Sequence, residues 1–242
     1  MADAAASRTT VLRDVRVLDV GRGELGPPSH VVVEGRRVAR IVPVAAGAAP
    51  WPEEAVAIDC AGRTALPGRI DLHVHVTATR MDLANQARMP NAFVLLRSLP
   101  ILCGMLDRGF TTVRDAAGAD RALADAVEQG LAEGPRLFVA GHALSQTGGH
   151  GDLRSPTDFM DSPEPCACSF RIGQLSRVVD GVDAVRKAVR EELQMGAHQI
   201  KVMASGGVAS PADPIDALGY SRDELRAIVE EAAARHTYVM AH

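Results

Sequence analysis

The stretch "RIDLHVHV", residues 69–76, decides how the rest of the chain is read. Ile70, Leu72 and Val74 alternate with polar residues, which is the period of a β-strand. Side chains two apart on a strand share a face, so His73 and His75 leave the sheet together, close enough to hold one ion. On these residues alone, a second reading stays open: two buried histidines satisfied by backbone carbonyls.

Outward from this strand the texture differs on the two sides. Residues 1–65 carry short β-like runs, "VLRDVRVLDV", "HVVVEG" and "RRVARIVPV", separated by turn signals such as "GRGELGPP". They predict a small β-rich, sandwich-type segment. Residues 66–242 alternate apolar strands with helical periods, the pattern of βα units and a parallel sheet. The strand candidates are 70–76, 110–116, 136–141, 199–205 and 238–242. Between the last three, Val185, Val189 and Leu193 share a helix face that ends near Gly196. Ser221 and Glu224 have capping-box spacing ahead of a stripe of Leu225, Ile228, Val229 and Ala232. From Gly141 to about Asp180 no apolar period runs, which predicts a long functional loop on the ligand side of the sheet.

A closed (β/α)8 barrel needs eight such units and about 250 residues. Five are found here, so the expectation is an α/β fold with an incomplete TIM barrel, a fragment or a half that needs a complementing chain or a second copy.

Composition narrows the partners. Lys plus Arg number 26 against 30 for Asp plus Glu, a net charge of −4, and no basic cluster alternates with aromatics. A nucleic-acid partner is not expected. Arg8, Arg13 and Arg16 break the first thirty residues, so neither a signal peptide nor a membrane span is read there, and the cytoplasm is the expected compartment. Cys166 and Cys168 stand as C-x-C and are read as incidental, and Met195, Met203 and Met240 as core filler.

Lys201, in "QIKVMAS", lies opposite Ile200 and Val202 and therefore faces the same interior as the histidines. A buried ammonium is costly, so the amine is expected to be deprotonated, paired or modified. A neutral buried amine can add carbon dioxide, and the resulting carbamate can bridge two cations. His242 ends the fifth strand.

The segments "LPGRIDLHVH", "GFTTVRDAAG", "QIKVMASGG" and "YVMAH", in this order, resemble the amidohydrolase superfamily of metal-dependent hydrolases. "LSQTGGHGD" with "KVMASGGVASPADP" is similar to its Xaa-Pro dipeptidase group, related to imidazolonepropionase and ochratoxin-degrading amidases. The resemblance runs from about Val11 to His242. It implies one or two zinc ions, with other divalent metals open: His73 and His75 as ligands of the first, carboxylated Lys201 bridging, and His242 on the second. It also implies a histidine after a sixth strand and an aspartate after an eighth, both beyond residue 242. The implied chemistry is hydrolysis in which zinc lowers the pKa of its water from about 15.7 to about 7. His150 matches a family position near the substrate, and Arg154 offers a fork for a substrate carboxylate. The implied substrate is a small molecule, a dipeptide or N-acyl amino acid. A cyclic amide of the imidazolonepropionase kind is the alternative reaction, and an inactive fragment or interaction module the alternative class. Asp115, at the end of the second strand, could stand behind a metal ligand or cap a helix, and the cap is the expectation.

Overall fold

A computed structural model of the chain describes residues 9–47, 51–154, 172–208 and 213–242. The chain divides into two compact units, Met1–Pro67 and Gly68–His242. In the first, strands β1 (Thr9–Asp19), β2 (Glu24–Glu34), β3 (Arg37–Pro43), β4 (Val56–Asp59) and β5 (Thr64–Ala65) form one sheet. Its order is β3-β2-β1-β4, with β5 also on β1. β1 runs antiparallel to β2 and parallel to β4 and β5. A bulge in β1 between Leu12 and Val15 places Asp14 at φ 52, a conformation that Asp tolerates better than most residues. The described residues of this first unit thus form a single mixed sheet.

The second unit contains all five expected strands. They are β6 (Arg69–Val74), β7 (Phe110–Asp115), β8 (Arg136–Phe138), β11 (Ile200–Val202) and β12 (Val239–Ala241). Helices α1 (Leu83–Gln86) and α2 (Asn91–Asp107) follow β6, and α3 (Arg121–Glu128) follows β7. α4 (Val182–Gln194) precedes β11, and α5 (Arg222–Ala233) connects it to β12. Every strand pair in this unit is parallel, in two sheets: β6-β7-β8, and a second that also takes in β9 (Ala143–Ser145) and β10 (Ser176–Val178), ordered β10-β9-β11-β12. The described residues form an open arrangement rather than a closed barrel.

The two sheets meet where β8 gives way to β9. Gly141 turns the chain there at φ 67, and a Cβ on it would overlap the Glu192 carboxylate. β9 and β10 correct the expectation of a structureless loop from Gly141 to Asp180. Each is three residues long, too short to show a period, and is defined by partners distant in sequence. Cys166 and Cys168 lie outside the described residues.

Among the described residues, three hydrophobic clusters hold the unit. The first gathers Val76, Leu102, Val113, Leu123, Leu137 and Val139, the second Leu144, Val185, Val189, Ile200, Val202 and Ile228, and a smaller third Ala117, Ala143, Leu175 and Met203. The apolar face of β6 does not pack as alternation predicts: Ile70 is 62% and Leu72 57% exposed, with no described element covering them. Val229 is also exposed, and Ala227 takes its place on the buried stripe of α5. Met203 and Met240 are buried as expected, whereas Met195 is exposed. No described helix is long and apolar enough to cross a membrane.

The capping box forms as read. Ser221 caps α5 and Glu224 reaches back to the Ser221 amide, while its other oxygen accepts from Gly181 N at 2.7 Å. Ser221→Ala is expected to lower stability by about 1 kcal/mol. Urea denaturation checks this, with an unchanged midpoint counting against the cap.

Candidate metal centre

Strand β6 delivers His73 and the following turn delivers His75. Their rings stand 5.3 Å apart between centroids in an edge-to-face arrangement. The His73 amide donates to Asp71 Oδ1 at 3.1 Å, and His75 Nδ1 lies 3.1 Å from the Ala117 carbonyl. A carbonyl only accepts, so Nδ1 carries the proton and Nε2 keeps its lone pair.

β11 holds Lys201 between Ile200 and Val202, both packed in the second core. Lys201 is 1% exposed, and its Nζ has no hydrogen-bond partner among the described residues. Burial, and then the charge of Arg114, push the amine below the ordinary lysine range. Arg114 itself is held by the Leu72 carbonyl at 2.8 Å and the Tyr238 hydroxyl at 3.1 Å. β12 ends at Ala241, and the His242 amide donates to Val202 O at 3.0 Å.

Electrostatics tie these groups together. His73 is pushed below its usual pKa by burial and then by Lys201. His75 is lowered by burial and by His73, Lys201 and His242, against the Ala117 hydrogen bond that raises it. His242 is lowered by burial, then by His150, Lys201 and His73. Lys201 thus disfavours a proton on each of the three histidines, and His73 on His75 and His242, which leaves lone pairs for a cation. Among the described residues no three His, Cys, Asp or Glu side chains form a group able to hold an ion.

His150 adjoins this region. Its ring stacks on His242 with centroids 4.4 Å apart, and its Nδ1 lies 3.3 Å from Asp213 Oδ2. The same carboxylate oxygen accepts from Gly207 N at 3.0 Å, and a Cβ on Gly207 would overlap the imidazole. Arg154 lines a cavity of about 290 Å³ with Arg88, Gln174 and Ser176. Its guanidinium is engaged by Asp152, at 2.7 Å through Nε and 2.6 Å through Nη2.

Residues 64–242 match the amidohydrolase family. The chain belongs to that family. A prolidase solved in complex with N-methylphosphonate-L-proline is 56% identical, with a TM-score of 0.87 over 97% of this chain and 56% of the prolidase chain. A solved amidohydrolase is 52% identical, with a TM-score of 0.89 over 97% of this chain and 56% of its own. Ochratoxinase from Aspergillus niger is 42% identical over 142 residues, 57% of this chain and 29% of ochratoxinase. The chain therefore spans about half the length of these solved relatives.

In this amidohydrolase-family chain one carboxylate, Asp213, went unread in the sequence, and another, Asp115, has a partner set other than the expected one. Asp213 meets His150 across 63 positions, a pairing that no local spacing announces. Asp115 is fully buried and does not cap a helix; Asp120 caps α3. The Asp115 carboxylate instead accepts from Val76 N at 2.7 Å, Ala117 N at 3.1 Å and Ala119 N at 3.2 Å. Burial raises its pKa to about 7, against the pull of these three donors. The only signal in the sequence was an acidic residue at the end of an apolar strand.

Proposed function

We propose that this is a metal-dependent amidohydrolase that cleaves the amide C–N bond of a dipeptide or N-acyl amino acid, with Xaa-Pro dipeptides as its first substrate class. The observation that carries this reading is the buried amine of Lys201, without a partner among the described residues, beside His73, His75 and His242. Relatives that include a prolidase and an ochratoxinase support amide hydrolysis.

In this reading Gly68–His242 is the catalytic unit. His73, His75, His242 and a carboxylated Lys201 would hold the divalent metal, with zinc the first metal to test. Such an ion supplies Lewis-acid polarisation of the scissile carbonyl and a water of lowered pKa. The residues around it bind and orient. Asp213 holds His150 through Nδ1, which turns Nε2 outward as a contact for the substrate carbonyl or carboxylate. Arg154 would have to exchange the Asp152 carboxylate for that of a substrate, and we assign it the lesser part in binding.

The test uses the native-length polypeptide, with its length fixed by intact mass from the native source. Zinc-loaded protein is assayed against Xaa-Pro dipeptides, N-acyl amino acids and imidazolone-type rings. Turnover of Xaa-Pro dipeptides that is lost on chelation and restored by zinc is expected. Turnover confined to the rings would move the assignment to a cyclic-amide hydrolase, and no turnover of any amide by metal-loaded protein would refute the proposal.

A further inference from the structure

The Asp115 carboxylate and the His75 ring belong to one closed circuit of hydrogen bonds. Asp115 Oδ2 accepts from Val76 N, the amide that follows His75. Asp115 Oδ1 accepts from Ala117 N and Ala119 N. The Ala117 carbonyl returns to His75 Nδ1 at 3.1 Å. Both the main chain and the side chain of His75 are thus corners of a ring whose centre is one carboxylate. Three further bonds brace it. Ala116 N donates to Val74 O at 2.8 Å, Gln199 Nε2 to Asp115 O at 3.1 Å, and Gly118 N to Gly141 O at 2.7 Å.

We propose that Asp115 is a positioning residue for His75: it fixes the segment after β7 so that the Ala117 carbonyl takes the Nδ1 proton and leaves Nε2 as the donor atom. The need for a carboxylate follows from the count of donors. Three buried amides on two segments converge on one side chain, and an apolar residue would orphan all three. A merely structural anchor would serve the two segments equally well whichever nitrogen of His75 carried the proton. Control of that choice is the functional part, because ligand imidazoles depend on the partner of their other nitrogen.

This inference rests on the proposed metal site, so the experiment separates the two. Metal-free, 15N-labelled protein is examined by long-range imidazole correlation spectra, with His75→Ala supplying the assignment. His75 is expected as the single Nδ1–H tautomer. In Asp115→Asn, which keeps the volume, a mixture of tautomers is expected, together with Co2+ binding weaker by about 10- to 100-fold. Wild-type His75 in the Nε2–H form, or a folded Asp115→Asn protein that keeps both the tautomer and the Co2+ affinity, overturns the proposal. If the variant does not fold, the wild-type tautomer decides alone. Wild-type protein that binds no Co2+ yet shows the Nδ1–H form fails the metal reading and upholds the positioning of His75.

Discussion

Lys201→Met is expected to lower kcat/KM by about 1,000-fold or more while making the metal-free protein more stable. The first effect follows from the Lewis-acid contribution of a metal site, several kcal/mol, with each ~1.4 kcal/mol a factor of ten. The second follows from burial. The lysine is 1% exposed and its amine has no partner among the described residues, so the folded state carries the cost of an unsatisfied polar group, about 1–3 kcal/mol. Methionine fills a similar volume without that cost. Metal content after dialysis, kcat/KM and a denaturation midpoint on the same preparations check both effects. A variant that keeps its metal and its rate would remove Lys201 from the chemistry, and one that loses stability would show that the amine has a partner in solution.

Gly207→Ala is expected to lower kcat/KM by about 100-fold with metal content unchanged. A methyl at this position overlaps the His150 imidazole, and Gly207 is not among the glycines held at positive φ, so the backbone accepts alanine. The ring has to move, away from Asp213 or along its stack with His242. A displacement of about 1 Å at a group that orients a substrate is worth about two orders of magnitude. Steady-state kinetics with metal analysis decides. An unchanged kcat/KM would free His150 from any role in substrate positioning, and a loss of metal would place the strain on His242 instead.

The division between what the residues reveal and what they hide has a physical basis. His73, His75 and Lys201 were legible because a strand alternates its faces, so the apolar neighbours of each residue declare where it points. The helices were legible at the ends, where Ser221 and Glu224 cap one and Gly196, at φ 94, follows the other. Asp115 and Asp213 were not, because their partners are main-chain amides and an imidazole brought near only by the turns after β6, β7 and β11. β9 and β10 were hidden for the same reason: three residues carry no period, and their definition lies in strands across the sheet. Ile70 and Leu72 were misjudged because alternation tells which face is apolar and not whether another element covers it.

The split at Gly141 has a consequence for how the protein responds to an ion. His73 lies on β6 and His75 just after it, at the sheet β6-β7-β8, whereas Lys201 lies on β11 and His242 just after β12, at the sheet that β9 enters. A cation held by both pairs would act as a cross-link between layers that the main chain joins through a single bend. Local opening at that bend, read as amide hydrogen exchange around Gly118 and Gly141, would then slow as the ion saturates.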